Sequence, residues 1–234
     1  YGNYGGGFHS NDVRGAAISI DPKTLEPADP VDLLVRAEGA EIGARHAGPG
    51  FNISLAIFWL TLDSELLFVG DGGTTEPNPA SRRYGVEFTG FWQPIDDLTM
   101  DLSAAWTDAR FSALPDGQNR IPGAIESVVA AGATYGFTDR FTGTLRMRHF
   151  GSAPLIEDGS VSSEATTLFN AGLYYTGDKF QLSLDVYNLL DAEDADITYY
   201  YPSRLPGEPA EGVDDFHIHP VEPRQVRIGL RVMF

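Results

Sequence analysis

The chain closes on a strict alternation: Val226, Ile228, Leu230, Val232 and Phe234 are apolar, while Gln225, Arg227, Gly229 and Arg231 between them are polar, charged or small. Successive side chains of an extended strand point to opposite sides, so one face of this segment can sit in oil and the other in water. The period recurs along the chain. Leu98, Met100, Leu102, Ala104 and Trp106 oppose Thr99, Asp101, Ser103 and Thr107, and Phe180, Leu182, Leu184 and Val186 oppose Gln181, Ser183, Asp185 and Tyr187. Phe141, Leu145 and Met147 oppose Thr142, Thr144, Arg146 and Arg148, and Tyr84, Val86, Phe88 and Trp92 oppose Arg83, Glu87 and Thr89. With weaker segments near residues 1–8, 33–45, 125–137 and 168–175, the pattern predicts about ten strands. In residues 51–69 the apolar parity changes near Phe58, from Ile53, Leu55 and Ile57 to Leu60, Leu62, Leu66 and Phe68, which predicts a bulge there.

The connections alternate between short and long. Short ones at Ala47, Pro94, Thr138 and Thr176 carry the Gly, Pro and Asp of tight turns, and the long ones fall at residues 10–32, 71–81, 114–124, 152–163 and 191–216. In an antiparallel meander every second connection lies at the same end, so tight turns gather at one rim and long loops at the other. That is how outer-membrane barrels are built. A soluble sandwich shares the alternation of faces. Aromatics near strand ends, Trp92, Trp106, Phe150, Tyr174, Tyr175 and Phe234, favour the barrel, because such rings settle at bilayer interfaces. The stretch 51–69 is interrupted by Asn52, Asp63 and Glu65, so no segment reads as a membrane helix.

A net charge of −17 makes nucleic acid an improbable partner, since phosphate would be repelled, and the absence of cysteine removes disulfides and thiolate metal sites. The first residue is Tyr1 and no signal-like segment follows it, which is read as a processed product or a piece of a longer protein.

Several phrases together resemble the C-terminal part of TonB-dependent outer-membrane receptors: FHSNDVRG from Phe8, AEIGAR around Glu41, SRRYGVE from Ser81, VYNLLDAEDADITYYY from Val186, and the closing strand ending in Phe234. The family's Asn-Leu-Phe-Asp phrase is matched by Asn188, Leu189, Leu190 and Asp191, and its Glu-x-Gly phrase by Glu41 and Gly43. The resemblance implies that residues 1–234 are the C-terminal β-barrel portion, an all-β antiparallel up-and-down transmembrane sheet belonging to a 22-stranded barrel. It also implies a plug domain and a TonB box, neither of which is matched in this chain. Phe234 would be the signal read by the barrel-assembly machinery, outer-membrane lipid would surround the barrel, and the TonB complex would act through the plug. TonB-dependent uptake of a scarce nutrient follows, with a ferric siderophore as the first expectation and cobalamin, haem and oligosaccharides behind it. No catalysis and no cofactor are expected.

Candidate residues are few. Arg83, Glu87, Arg146, Arg148, Asp185, Arg227 and Arg231 fall on the polar faces of their strands, where they would line the lumen, either meeting plug or ligand or pairing with one another across strands. His217 and His219, two apart with Asp214 and Asp215 upstream, form a weak metal signal, for which a solvated loop-to-strand junction is the plainer reading. The run from Asp191 to Asp196 is rich in oxygen but lacks the glycine-turned spacing of a calcium loop. Two other readings stay open. A self-contained small pore or structural barrel would pair residues 1–8 with 226–234, and an outer-membrane hydrolase would bring His149 to a serine such as Ser152 or Ser163.

Overall fold

The computed structural model describes residues 1–11, 13–20, 25–27, 30, 32–69 and 74–233. In chain order its strands are β1 (Gly2–Ser10), β2 (Leu34–Gly48), β3 (Phe51–Leu62), β4 (Glu65–Val69), β5 (Thr74–Asn78), β6 (Ser81–Ile95), β7 (Leu98–Phe111), β8 (Ser127–Thr138), β9 (Phe141–Phe150), β10 (Thr166–Thr176), β11 (Phe180–Tyr187), β12 (Ala195–Ser203), β13 (Val213–Pro220) and β14 (Gln225–Val232). One helical turn, Val13–Ala16, follows β1. Ten strands form a single antiparallel sheet in the order β1-β2-β3-β6-β7-β8-β9-β10-β11-β14. The other four make two separate hairpins, β4 with β5 and β12 with β13.

Neighbouring strands in the sheet therefore follow one another in sequence, with hairpins inserted into two of the long connections. The short turns β2–β3, β6–β7, β8–β9 and β10–β11 share one rim. Gly50 makes the first of them possible, holding φ at 74°, where a side chain would be strained. β1 pairs with β2 and β14 with β11, and no pairing joins β1 to β14 among the described residues. The edge pairing that a closed small barrel requires is thus not formed.

Register fixes which residues share a face. Ile57, Val86 and Trp106 lie in one row, Leu102, Ala131, Met147 and Phe169 in another, and Leu173, Leu184 and Ile228 in a third. This apolar face is bounded at both rims by aromatics. Toward the long loops Tyr84 meets Trp106 edge-on, with ring centroids 6.1 Å apart. Toward the short turns Tyr135 meets Phe137 at 5.0 Å and Tyr175 lies between Phe141 at 4.9 Å and Phe180 at 5.7 Å. Two aromatic belts enclosing an apolar band are the dimensions of a strand wall that crosses a bilayer. Trp92 and Tyr175 occupy the belts as expected. Phe150 and Tyr174 do not, because pairing with Val128 and with Ser183 turns them to the polar face. Phe234 lies outside the described residues.

The predicted bulge at Phe58 is absent. β3 pairs without a register shift from Phe51 to Leu62 against both β2 and β6. What changes is the face that carries the apolar side chains. Ile53, Leu55 and Ile57 look to the apolar side, whereas Phe58, Leu60 and Leu62 look to the polar one. The Phe58 ring lies over Gly85, where a Cβ would come within 2.8 Å of it. Near the long loops the polar face joins a small core: Leu62, Ser81 and Phe111 are in one row, all buried, with Ile121, Ala153 and Leu155 from two loops buried as well.

Those two loops, 112–126 and 151–165, fold as a unit. Arg120 donates its N–H to the Glu157 carbonyl at 2.9 Å and Gly123 to that of Pro154 at 2.8 Å, while Gly151 ties the second loop to Ser127 at the start of β8 at 2.8 Å. Backbone groups that the sheet leaves open are satisfied across the pair.

Candidate functional site

The polar face and the rim above it form the candidate site. Arg83, Glu87, Arg146, Arg148, Asp185, Arg227 and Arg231 all fall on this one face by register. Their partners differ. Arg146 Nη1 contacts Asp101 Oδ1 at 2.6 Å. Asp185 lies directly opposite Arg227, yet its Oδ1 accepts the Tyr174 hydroxyl proton at 2.6 Å, and the Arg227 guanidinium sits over the Tyr187 ring at 5.3 Å. Arg148, Arg227 and Arg231 have no carboxylate partner among the described residues. Three guanidiniums with free donors on one wall can take up carboxylate, phosphate or catecholate oxygens.

At the other end of the sheet the same face holds a hollow of about 380 Å³ lined by Asn3, Gly5, Gly39, Glu41, Phe58, Leu60 and Glu87. Its floor is bare backbone at Gly5 and Gly39, its wall is apolar, and two carboxylates stand at the rim. Such a seat suits an apolar side chain next to a cation.

The segment from Asn188 to Asp191 anchors the last long connection. Asn188 is buried, holds φ at 47°, and ends β11. Its amide Nδ2 donates to the carbonyls of Ala192 at 2.9 Å and Glu222 at 3.1 Å, and its Oδ1 accepts the Ala192 N–H at 2.8 Å. Its own N–H donates to Asn170 Oδ1 at 2.9 Å. Asp191 accepts the Arg224 N–H at 3.0 Å and pairs with the Arg224 side chain at 2.8 Å. That backbone donor holds the Asp191 carboxyl below the usual carboxylate range, with the Arg224 charge adding to the effect. Asp194 accepts the Thr167 N–H, and Asp196 contacts His219 at 2.6 Å. The acid-rich run therefore spends its oxygens on pinning this connection to β10, β13 and the start of β14.

His217 and His219 project from β13, a strand of a loop hairpin where a loop-to-strand junction was expected. The register explains the difference: β12 pairs with β13 from Ala195 to Ser203, which a reading of 191–216 as loop does not anticipate. His217 stacks on Tyr201 with centroids 3.7 Å apart and planes 7° apart. Among the described residues no group of three or more metal-ligating side chains gathers. Beside β12 a cavity of about 250 Å³ opens against loop 151–165, lined by Ser163, Glu164, Asp196 and Tyr199 among others.

His149 and Ser163 have other partners and do not meet one another among the described residues. His149 lies on the apolar face in the row of Val129, and its Nδ1 is 2.8 Å from Thr167 Oγ1. Ser163 Oγ accepts the Ala153 N–H at 2.9 Å.

A charged cluster at the long-loop rim went unread in the sequence. Asp108 is buried and takes two hydrogen bonds from Arg110, at 2.8 and 2.9 Å, and Arg120 stands 3.9 Å from Asp108 and 2.8 Å from Glu126. Asp108 pairs with Tyr84 and so lies on the apolar side, just beyond the aromatic belt. The spacing of two between Asp108 and Arg110 was the available signal.

The family described as "TonB dependent receptor-like, beta-barrel" matches residues 1–189. The fold is similar to that of the ferric-catecholate import receptor Fiu from Escherichia coli K12 in its closed form, with a TM-score of 0.72 and 19% identity, covering 100% of this chain and 32% of that one. The ferric yersiniabactin uptake receptor FyuA from Yersinia pestis matches with a TM-score of 0.67 and 16% identity, over 100% of this chain and 34% of that one. The copper transporter OprC matches with a TM-score of 0.70 and 16% identity, over 100% and 36%. No curated protein matches the sequence significantly. The sheet, its belts and its loops define an antiparallel outer-membrane-type barrel wall. This chain belongs to the TonB-dependent receptor family, a family of transporters and receptors rather than enzymes, and it spans about a third of the length of the solved structures it resembles.

Proposed function

We propose that residues 1–234 are the C-terminal barrel portion of a TonB-dependent receptor that takes up a ferric siderophore across the outer membrane. The observation that carries the reading is the set of arginines without carboxylate partners among the described residues, Arg148, Arg227 and Arg231, spread over the polar face from near the long loops to the short-turn rim. On this reading that face lines the lumen. The loops hold many carboxylates, so an anionic chelate needs a cationic wall to be drawn past them. Of the structural neighbours, Fiu and FyuA are named as receptors for ferric chelates.

The parts outside this chain complete the proposal. A plug domain seats against the hollow at Glu41 and Glu87, TonB acts on the plug, and Phe234 addresses the chain to the barrel-assembly machinery. The test is uptake of radiolabelled iron by cells producing the full receptor, with catecholate, hydroxamate and carboxylate siderophores in turn, in strains with and without TonB. Saturable uptake of one class that needs TonB supports the reading. TonB-dependent uptake of only an iron-free nutrient overturns the ligand, and uptake independent of TonB overturns the mechanism.

A further inference from the structure

The apolar face carries a groove of about 670 Å³ crossing the strands β3, β6, β7, β8, β9 and β10. Its floor is β8, where Ala131 and Ala133 are small and the backbone of Gly132 lies between them, and Gly90 opens a second dip on β6 beside Leu102. One bank is Trp92, Met100 and Leu102, and the other is Leu145, Met147 and Phe169. The row Met100, Ala133, Leu145 adjoins the row Leu98, Tyr135, Gly143, so the groove lies one step inside the aromatic belt of the short-turn rim. Its volume is within the roughly 300–1,000 Å³ of built small-molecule sites.

We infer that this groove holds an acyl chain of a phospholipid from the leaflet at the short-turn rim, as a bound lipid distinct from the fluid shell around the barrel. Location supplies the first argument, because the groove is continuous with the apolar band between the two belts and opens into the membrane. The second is the lining. With almost no donor or acceptor exposed in it, a polar ligand would lose its hydration with nothing in return. Shape supplies the third, since a trough floored by Ala131 and Ala133 between banks of long side chains admits an unbranched chain. Methionine at two of the banks adapts to such a guest.

The test uses the full receptor in nanodiscs containing phosphatidylethanolamine with a diazirine in one acyl chain. After photolysis, peptide mapping is expected to place label at residues 88–92, 100–102 and 145–147 severalfold above that at Ile228 and Leu230, which are more exposed on the same face of β14. The variant Ala131→Leu/Ala133→Leu fills the floor and should bring the groove label down to the β14 level. Native mass spectrometry of the purified receptor gives an independent reading, with one phospholipid surviving detergent exchange in the wild type and lost in the variant. Uniform labelling over all strands, or equal lipid retention by both proteins, overturns the proposal. Crosslinks formed across the groove to another polypeptide overturn it in favour of a protein partner.

Discussion

Arg146 reaches Asp101 across Gly132, with its Nη1 2.6 Å from the carboxylate, and a Cβ at Gly132 would lie 2.0 Å from that nitrogen. Three strands thus cooperate in one ion pair: β7 gives the acid, β9 the base and β8 the gap. Both side chains are about half exposed, so the pair is expected to contribute no more than about 1 kcal/mol. Gly132→Val should displace the guanidinium and, in a double-mutant cycle, remove the coupling between Asp101→Ala and Arg146→Ala. Denaturant unfolding of the refolded receptor reads it, and a coupling that survives Gly132→Val counts against the geometry.

Asn188→Ala should be among the most damaging single changes in the last connection. It strands the carbonyls of Ala192 and Glu222 and forces alanine to a φ of 47°. Together these cost about 2–4 kcal/mol. Asn188→Gly relieves the backbone alone and should recover only part of the loss. Hydrogen exchange in residues 189–196 and 222–225 would show faster opening in both variants, with alanine ahead.

The Asp191–Arg224 latch should weaken in acid. Its carboxyl titrates below the ordinary carboxylate value because the folded chain donates Arg224 N–H to it. A depressed folded value means the contribution is complete above the unfolded value and lost as the pH falls through the folded one. Spin labels at positions 193 and 222 should therefore separate below about pH 4, the ordinary aspartate range. Asp191→Asn should show no such transition, and a wild type that keeps its distance through that range contradicts the assignment.

Asp108→Ala should destabilise the long-loop rim by about 1–3 kcal/mol, because Arg110 loses both charge-assisted bonds. Glu126→Ala removes only a half-exposed contact with Arg120 and should cost well under 1 kcal/mol. Thermal unfolding of the two variants orders them.

Arg227→Ala and Arg231→Ala should each lower siderophore affinity about tenfold, the equivalent of one charge-assisted hydrogen bond. Lysine at either position should restore a minor part, since it lacks the bidentate fork. Isotherms of ferric chelate binding to the full receptor test this, and unchanged affinity in both alanine variants removes them from the ligand path.

Much of the sheet was legible because a bilayer-crossing strand must alternate, and the alternation at Leu98 to Trp106 or Val226 to Val232 is visible without any partner. The unequal connections likewise announced the two rims. Less of the rim could be read. Ile197, Tyr199 and Tyr201 do alternate, but Pro202 and the surrounding acids look like loop chemistry, and β12 exists because β13 returns beside it. At Phe58 the parity change was real while its cause was not a bulge. Of the inward apolar residues there, Leu62 serves the small core over Phe111, which only the folded loops create, and Phe58 and Leu60 line the hollow beside Glu41 and Glu87. The polar-face arginines were legible as a face, whereas which of them are already paired depends on Gly132 and Tyr174, residues of other strands.

The backbone bonds between loops 112–126 and 151–165 set a further condition on how this rim can diversify. Arg120 meets Glu157 and Gly123 meets Pro154 at fixed offsets. An insertion in one segment shifts donors past their acceptors in the other, so length changes in the two must arise together. Grafted between relatives, the pair should transfer only as a single cassette.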